Sequence, residues 1–346
     1  MVEDGAQRRG GMREVARLAG VSVSTVANVL SRPSIVAPET RRRVEQAIAG
    51  VGYVPSGPAR QLRGVPSPIV GSIILDLANP FFAELNRGIE DRLAEAGCLV
   101  LACSTDLRAS KEKQILSLLQ EQAVRGIIIA PIAPDPAHLL EMSRRGTPVV
   151  LIDHPRGRLD LCAVAVDHVL GGQLAVEHLL SLGHRRIAFL GGQLDPGPVV
   201  QRRDGVRQAL AAAGHDPAET LLDIRVPIHP PPLDEAADAA VRQILAATPR
   251  PTALVCLNDT AALGALRGLE AAGVRVPEEM SVMGYDDLIF APRLAPPLTT
   301  INQPKYQLGH AAADLLLDEA SPDHTHREVR FQPSLVVRAS TGPAPR

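Results

Sequence analysis

The chain has 346 residues, of which 45% are hydrophobic and 21% are charged, and its net charge is −2. This length is too great for one typical core and predicts two or three domains. No apolar run approaches the roughly 20 residues that a transmembrane helix needs, and the polar N-terminus lacks the apolar segment of a signal peptide, so we expect a cytoplasmic protein.

Charge is distributed unevenly along the chain. Residues 1–63 contain ten arginines, no lysine and five acidic residues, which gives +5, whereas the remaining residues give −7. A basic segment joined to an acidic body is the asymmetry expected when one module contacts phosphate. A solvated arginine-rich face is the alternative interpretation of Arg41-Arg42-Arg43 taken alone.

The basic segment is predicted to contain three helices. The first covers about residues 12–19, and Gly20 supplies the tight turn after it. The second covers about residues 22–30 with Ser22 as its N-cap, and the third begins near Pro38, a favourable first-turn residue. Two short amphipathic helices that meet at a glycine are typical of a DNA-binding helix-turn-helix.

The same segment predicts the first domain boundaries. Residues 1–11 show no periodicity and are predicted to be a disordered N-terminus. Residues 12–55 are predicted to form a small all-α DNA-binding domain. Residues 56–67 are rich in glycine and proline, so we expect a hinge and linker there.

From Pro68 onward, short aliphatic runs alternate with amphipathic stretches. The predicted strands are 69–75, 98–103, 126–130, 148–152, 186–190, 253–256 and 281–284. The predicted helices are 82–96, 111–122, 171–182, 202–213, 234–247 and 259–272. Alternating strands and helices imply parallel sheets with right-handed crossovers. Because the predicted strands and helices are too many for one compact sheet, the sequence predicts a core of two α/β lobes.

Polar residues follow several predicted strands, at the position where an open α/β lobe binds its ligand. They are Asn79, Asp153, Asn258, Asp259 and Asp286. Their clustering predicts a small-molecule cleft between the two lobes.

The four cysteines, Cys98, Cys103, Cys162 and Cys256, lie in apolar stretches. They lack the spacing of a metal site and are interpreted as reduced core residues. A phosphate-binding loop and a Gly-x-Ser-x-Gly nucleophile elbow are also missing from the sequence. We therefore predict no enzymatic activity, no cofactor and no metal.

Six motifs, in chain order, resemble those of the LacI/GalR family of transcriptional repressors. They are Val15-Ala16…Ala19-Gly20-Val21-Ser22…Thr25-Val26, Gly52-Tyr53-Val54-Pro55, Asn79-Pro80-Phe81-Phe82, Leu182-Gly183-His184, Gly284-Tyr285-Asp286-Asp287 and Pro297-Leu298-Thr299-Thr300-Ile301. The resemblance covers about residues 12–340. It implies a repressor with a helix-turn-helix head, a hinge helix and a two-lobed core like that of periplasmic sugar-binding proteins.

The resemblance also implies how the core, residues 68–340, is divided. Lobe 1 would consist of about residues 68–166 and 303–327, and lobe 2 of about residues 167–302 and 328–340. Residues 341–346 would form a tail without the leucine heptad of the family's tetramers. A homodimer that binds a two-fold related operator in double-stranded DNA is therefore expected.

In this family the second helix lies in the major groove, and Val23, Ser24, Ala27 and Asn28 match its base-facing positions. The family usually has Ser-Arg where this chain has Ala27-Asn28. Because asparagine pairs with adenine where arginine pairs with guanine, we predict an A·T pair at this place in the operator half-site. The alternative is that Asn28 contacts phosphate or nothing.

Further DNA contacts are predicted around that helix and in the hinge. Phosphate contacts are assigned to Ser22, Thr25, Ser31, Tyr53 and Ser56. Leu62 matches the leucine that the family wedges into the minor groove, and Ala59 matches the small residue between paired hinge helices. An ordinary linker residue is the alternative for Leu62. Because so short a helix is unstable alone, we expect the hinge to fold only with its dimer mate and DNA.

The resemblance implies an effector site similar to that of ribose-type sugar binders. Its predicted residues are Asn79, Phe81, Phe82, Asp153, His154, Arg202, Asn258, Asp259, Asp286 and Gln303. Arg202 matches the family's effector-binding arginine, and His154 stands where those binders often have arginine. Carboxylates, carboxamides and a guanidinium suit vicinal hydroxyls, so a sugar or polyol is favoured, with a purine as the alternative.

Effector binding is expected to close the lobes and to change operator affinity, and the coupling must be reciprocal. In this family most sugars release DNA, whereas purines act as corepressors, so both signs remain alternatives. A solute-binding receptor and an enzyme on an α/β scaffold are the competing hypotheses. The expected location is the cytoplasm, on the bacterial nucleoid when the protein is bound to DNA.

Overall fold

The computed structural model describes residues 11–53, 67–133, 136–193, 197–228, 232–321 and 323–345. Its contacts divide the chain into two compact units, residues 1–68 and residues 69–346. Each unit contains its own buried hydrophobic clusters, so each is described by itself.

The first unit is built from three helices, as the sequence predicted. They are α1 (Met12–Ala19), α2 (Val23–Ser31) and α3 (Pro38–Val51), with a 3-10 turn at Pro33–Ile35. Val15, Val26 and Val44 are fully buried and come from α1, α2 and α3 respectively. One valine from each helix therefore forms the centre of this small core.

Two local interactions fix the turn between α1 and α2. Gly20 has φ 63° and ψ 40°, a left-handed conformation that glycine adopts without steric cost, and its N–H bonds to carbonyls of α1. Ser22 then accepts a hydrogen bond from the Thr25 N–H at 3.1 Å. Ser22 is therefore the N-cap that the sequence predicted.

The second unit contains two six-stranded sheets, one in each lobe. The strands are β1 (Ile69–Ile74), β2 (Leu99–Ser104), β3 (Gly126–Ile129), β4 (Val149–Ile152), β5 (Cys162–Val166), β6 (Ile187–Gly192), β7 (Leu221–Val226), β8 (Ala253–Cys256), β9 (Ser281–Asp286), β10 (Thr299–Asn302), β11 (Glu328–Phe331) and β12 (Ser334–Val336). The order is β11-β5-β4-β3-β1-β2 in lobe 1 and β12-β10-β9-β8-β6-β7 in lobe 2. Neighbouring strands are parallel except β10 and β12.

Helices pack against both sheets. They are α4 (Pro80–Glu95), α5 (Ala109–Glu121), α6 (Ala137–Arg144), α7 (His168–Ser181), α8 (Gly197–Ala212), α9 (Pro217–Thr220), α10 (Leu233–Ala246), α11 (Asp259–Ala271) and α12 (Lys305–Asp318), with a 3-10 turn at Ala291–Arg293. In β3, Ile127 and Ile129 face one buried cluster and Ile128 faces another. This two-residue alternation shows that both faces of the lobe 1 sheet are covered.

Five strands in the described part of the chain were not predicted from the sequence. Three of these, β7, β11 and β12, are sheet edges. Charged residues interrupt the apolar pattern of β7 and β11, and β12 is only three residues long. The other two, β5 and β10, consist largely of alanine, threonine and single aliphatic residues. Helices α6, α9 and α12 were also missed, and α8 begins at Gly197 rather than at the predicted Arg202.

Sheet pairing corrects the predicted boundary between the lobes. The sequence assigned residues 328–340 to lobe 2, but β11 pairs in parallel with β5 in the lobe 1 sheet. The chain therefore enters lobe 2 for the last time after Phe331, with β12. It crosses between the lobes at three short connections, which are residue 167, residues 303–304 and residues 332–333.

The C-terminal residues that the sequence interpreted as a tail pack against lobe 2. His184 Nε2 lies 3.0 Å from the carbonyl oxygen of Gly342, and the Ala344 N–H donates to the Leu182 carbonyl at 2.9 Å. The Leu182-Gly183-His184 motif therefore holds the end of the chain. Across the described ranges, no helix combines the length and apolar composition that crossing a membrane requires.

Candidate functional site

Helix α2 presents one side to solvent. Val23, Ser24 and Asn28 are exposed on it, and Ala27 is half-buried between them. Val26 and Val29 lie on the opposite side, in the core of the head. The four predicted base-reading residues therefore share a single helical face, and that face is free of core packing.

Hydroxyl groups are concentrated at both ends of α2. Ser22 Oγ lies 2.7 Å from Ser24 Oγ and 2.8 Å from Thr25 Oγ1, and the Ser31 hydroxyl donates to the Ala27 carbonyl at 2.7 Å. A hydroxyl has one proton to donate and two lone pairs, so these groups keep acceptor or donor capacity beyond their local bonds.

Basic residues lie on α3 of the same unit. Arg41, Arg42 and Arg43 are exposed, and only Arg41 forms an ion pair among these, 3.7 Å from Glu45. Tyr53 follows α3 and packs against the core of the head. The predicted hinge residues Ser56, Ala59 and Leu62 lie outside the described residues.

A cavity of about 420 Å³ lies in the second unit, where strands of both lobes end. This is the edge at which open α/β lobes bind ligands, and the volume is that of a small-molecule site. Seven of the predicted effector residues line it: Asn79, Phe81, Phe82, Asp153, Arg202, Asn258 and Asp286.

Phe81 and Phe82 form an apolar wall of this cavity. Their ring centroids are 5.1 Å apart and their planes meet at 87°, an edge-to-face pair. Both rings are nearly fully buried and belong to the lobe 1 core. The wall is therefore part of the packed core and is fixed in shape before any ligand binds.

Arg202 is the central cation of the cavity. Its Nη1 donates to the Leu257 carbonyl at 2.6 Å, and its Cζ lies 3.7 Å from the centroid of the Tyr285 ring. Its Nη2 lies 3.8 Å from Asp286 Oδ1. A guanidinium held by a carbonyl, an aromatic face and a carboxylate has a fixed orientation.

The position of Arg202 depends on a close approach of α7 and α8. A Cβ added at Gly205 would overlap the Val169 carbonyl oxygen, and one added at Gly172 would overlap the Arg202 carbonyl oxygen. Only glycine at both positions lets the two backbones come this close. The pair of glycines thereby places Arg202 beside the first turn of α7.

His168 connects the two lobes behind the cavity. It is the first residue of α7 in lobe 2, and its Nε2 lies 2.8 Å from Asp153 Oδ1 in lobe 1. Its Nδ1 receives hydrogen bonds from Arg202 Nε at 3.3 Å and from the Tyr285 hydroxyl at 3.2 Å. These partners require a neutral ring that donates from Nε2 to Asp153.

Burial accounts for the charge state of His168. Desolvation lowers the pKa of this buried imidazole, and although Asp153 raises it, Arg202 lowers it further. The ring therefore stays neutral near pH 7. Burial also raises the pKa of the Tyr285 hydroxyl, so that group keeps the proton it donates.

Asp286 lies at the end of β9 and faces the cavity. Burial raises its pKa to about 6, although Arg202 and the hydrogen bond from Gln303 Nε2, at 2.6 Å, both lower it. Lys305 Nζ donates to the carbonyl oxygens of Asp286 and Asp287 at 2.8 and 3.1 Å. Asp286 also has φ 107°, a strained conformation for a non-glycine residue.

Two carboxamides on the cavity wall also cap helices. Asn79 Oδ1 accepts a hydrogen bond from the Phe81 N–H at the start of α4, and Asn258 Oδ1 accepts one from the Ala261 N–H at the start of α11. Each oxygen is used by its cap. What each side chain offers a ligand is therefore its NH₂ group.

Three predicted effector residues do not line the cavity. Asp259 is fully buried behind it and accepts hydrogen bonds from the Leu288 N–H and the Thr300 hydroxyl, both at 2.6 Å. Burial, with Asp286 nearby, raises the pKa of Asp259 to about 7. His154 turns toward the Pro155 carbonyl, 2.7 Å away. Gln303 contacts Asp286 from behind, so its role is to orient that carboxylate.

The structure adds residues that the sequence analysis overlooked. Asp76 and Asp106 line the cavity after β1 and β2, so the rule that pointed to Asp153 would have found them as well. Asp106 is held by Lys111, which together with Ser104 lowers the pKa of that carboxyl to about 2. His168 and Tyr285 stand behind the lining, where no rule about strand ends applies.

Comparison with known proteins defines the family. Residues 11–56 match the bacterial regulatory proteins of the lacI family, and residues 176–341 match a periplasmic binding protein-like domain. The chain is 33% identical over 334 residues to the HTH-type transcriptional repressor PurR of Photobacterium profundum, covering 95% of this chain and 98% of that protein. This chain belongs to the LacI family.

A second relative is similar to this chain over nearly its whole length. The ribose operon repressor of Escherichia coli is 34% identical over 334 residues, covering 95% of this chain and 99% of that protein. The chain is therefore about equally similar to the repressor PurR and to the ribose operon repressor.

Solved structures show the same architecture. A LacI family regulator from Enterococcus faecium with bound ribose is 32% identical, with a TM-score of 0.73, and covers 80% of this chain and 99% of its own. The lac repressor dimer bound to operator and an anti-inducer is 29% identical, with a TM-score of 0.81, covering 97% and 100%. The helix-turn-helix head and two-lobed α/β core predicted for this chain are confirmed. This LacI family chain is a DNA-binding transcriptional regulator and not an enzyme.

Proposed function

We propose that this LacI family regulator represses transcription as a homodimer on a two-fold related operator, and that a sugar or polyol bound between its lobes changes operator affinity. The observation that carries the proposal is the cavity. It is lined by one fixed guanidinium, carboxylates from both lobes and two carboxamide donors, beside a rigid phenylalanine wall.

The chemistry of this lining favours hydroxyl groups as ligands. Asp153 and Asp286 offer acceptors, while Arg202, Asn79 and Asn258 offer donors. A vicinal diol can donate to a carboxylate and accept from a guanidinium at the same time. The apolar face of a sugar ring fits against Phe81, so each surface of a small polyol has a complementary partner.

The contact between Asp153 and His168 supports the proposed coupling of the cavity to operator affinity. It joins the two lobes directly, and Asp153 also lines the cavity. A ligand that engages both Asp153 and Arg202 adds a second bridge between the lobes and favours the closed arrangement. In the dimer, closure then changes how the hinges, with Ser56, Ala59 and Leu62, pair on DNA.

We further propose that the exposed face of α2 reads the operator. Val23 suits a thymine methyl, Ser24 offers one hydrogen bond, and Asn28 can form a bidentate pair with adenine. Ala27 allows close approach to the DNA. The hydroxyls of Ser22, Thr25 and Ser31, at the ends of α2, and that of Tyr53, after α3, contact phosphate. Because the partner is the bacterial chromosome, the proposed place of action is the cytoplasm, on the nucleoid.

Ligand binding to the full chain tests which class of compound is the effector. We would measure thermal midpoints and titration calorimetry with D-ribose, hexoses, polyols, adenine, guanine and their nucleosides. A sugar or polyol should raise the melting temperature, because binding stabilises the folded state. Arg202→Met should abolish that rise, whereas Arg207→Met, an exposed arginine on the same helix, should preserve it. Binding of nucleobases but no sugar would replace the proposed ligand with a purine.

A gel-shift assay with DNA flanking the gene tests the coupling. The effector found above should change the operator dissociation constant several-fold, in either direction, in the parent protein and not in Arg202→Met. An effector that binds but leaves operator affinity unchanged would contradict the coupling.

A further inference from the structure

We propose that Cys162, Glu319 and His324 form a zinc-binding site in lobe 1, with His326 in contact with Glu319 beside it. Cys162 is the first residue of β5, so the site lies toward the amino end of that strand, away from the carboxyl ends that form the cavity. None of these residues has a part in effector binding or DNA binding as proposed above. The site is therefore independent of both.

The candidate ligand atoms of Cys162, Glu319 and His324 lie close together. Cys162 Sγ lies 3.5 Å from His324 Nε2, which lies 3.2 Å from Glu319 Oε1. Atoms of these three residues all lie within 4.8 Å of one another. His326 Nε2 approaches the same carboxylate oxygen at 3.5 Å.

These separations suit a tetrahedral ion. With zinc bonds of about 2.0–2.3 Å, the ligand atoms of a tetrahedral site stand roughly 3.3–3.8 Å apart. The separations of His324 Nε2 from Cys162 Sγ and from Glu319 Oε1, 3.5 and 3.2 Å, fall in or next to that range. One sulfur, one carboxylate oxygen and one imidazole nitrogen form a donor set that favours zinc over calcium or magnesium, which prefer oxygen alone. Zinc sites with three protein ligands leave the fourth position to water.

The far side of each imidazole is held by a carboxylate. His324 Nδ1 lies 3.2 Å from Asp318 Oδ2, and His326 Nδ1 lies 2.8 Å from Asp160 Oδ1. Metal-binding histidines commonly donate their second N–H to a carboxylate, which orients the ring and fixes the tautomer. Both rings here have that arrangement, and Nε2 of each ring is turned toward Glu319 Oε1.

Glu319 supplies an independent sign that a cation belongs here. Its side chain is about nine-tenths buried, and its Oε1 is fully buried without a well-formed hydrogen bond. A buried carboxylate oxygen in that state requires an explanation. A metal ion at the convergence point would satisfy it and would also ligate the Cys162 sulfur, whose proton is released to solvent on binding.

The proposed ion would connect the segment between α12 and β11 to the start of β5. Glu319 follows α12, and the two histidines precede β11, which pairs with the strand that carries Cys162. Cys162 and His324 are 162 positions apart in sequence, so motif spacing could not reveal the site. For that reason the sequence predicted no metal, and Cys162 was interpreted as a core residue.

Metal content of the full chain tests the site. After chelation and dialysis, the protein should take up one zinc ion per chain, and zinc should raise its melting temperature. Cobalt(II) should give the intense absorption of a tetrahedral site together with a thiolate-to-cobalt charge-transfer band. Cys162→Ser should remove the charge-transfer band, and His326→Asn, a partly exposed position, should lower zinc affinity at least ten-fold.

Matched variants keep the result interpretable. Cys103→Ser and His138→Asn change a cysteine and a histidine elsewhere in lobe 1 and should leave zinc uptake and the cobalt spectrum unchanged. If the parent protein takes up less than one zinc ion per chain, the proposal is overturned, and these residues form only a cluster of ion pairs. A cobalt spectrum unaffected by Cys162→Ser would also overturn it.

Discussion

Replacing Asp286 with asparagine should stabilise the ligand-free protein near neutral pH while weakening effector binding. Burial raises the pKa of Asp286 from its ordinary 3.8 to about 6. The folded state therefore holds the proton more tightly than the unfolded state does. The stability contributed by this group is fully present below pH 3.8 and is lost as pH rises through 6, so the ionised carboxylate costs stability at pH 7.

The size of this cost follows from the pKa difference. Each pKa unit corresponds to about 1.4 kcal/mol, so the difference between 3.8 and about 6 gives about 3 kcal/mol at pH 7. At pH 5 the same pair of values gives about half of that. Asparagine resembles the protonated acid and can still accept the hydrogen bond from Gln303. Asp286→Asn should therefore raise the free energy of unfolding by up to about 3 kcal/mol at pH 7 and by roughly half as much at pH 5.

Urea denaturation at the two pH values measures this effect. Asp204→Asn, an exposed aspartate on α8, is the control and should change the free energy of unfolding by less than about 0.5 kcal/mol. A loss of stability in Asp286→Asn, or a gain of equal size at pH 5 and pH 7, would refute the reasoning. Effector affinity should fall in the same variant, because a carboxylate that faces the ligand has been neutralised.

Three further substitutions have defined outcomes. Gly205→Ala should separate α7 from α8. It should lower the free energy of unfolding in urea by about 1–3 kcal/mol and weaken effector binding in calorimetry. Gly197→Ala is the control, because a Cβ there meets open space in the same helix, and it should change neither stability nor binding. Gly20→Ala should lower the free energy of unfolding of the head by about 1–2 kcal/mol and reduce operator binding in gel shifts. A Cβ at this position meets no other atom, so the cost comes from the left-handed φ alone. Asn28→Arg should shift the half-site preference from adenine toward guanine in selected-site sequencing, and an unchanged preference would exclude a base contact.

The sequence predicted most of the fold because its strongest patterns are local. The head's three helices are marked by Gly20, Ser22 and Pro38, each of which acts within one turn. Central strands such as Val149–Ile152 are continuous apolar runs. Edge strands such as Glu328–Phe331 gain their identity only from pairing with a distant partner, and the lobe boundary was misplaced for that reason.

The cavity was predictable to the extent that strand ends position its residues. Asp153 and Asp286 were found in this way, whereas Asp259 was included because it follows a strand although its side chain turns inward. His168 could not have been found, since its importance depends on the helix pairing that brings Arg202 beside it. Residues in a second layer are specified by packing between elements distant in sequence.

The three crossings between the lobes have a consequence for synthesis of the chain. The head is continuous and can complete its core as soon as its residues have emerged from the ribosome. Lobe 1 must wait for α12 and β11, which are made after nearly all of lobe 2. During that interval the apolar surface that Leu308 will cover stays open. A nascent chain halted before Phe331 therefore carries a finished DNA-binding head on an unfinished core, and such truncated products are the ones most prone to aggregate.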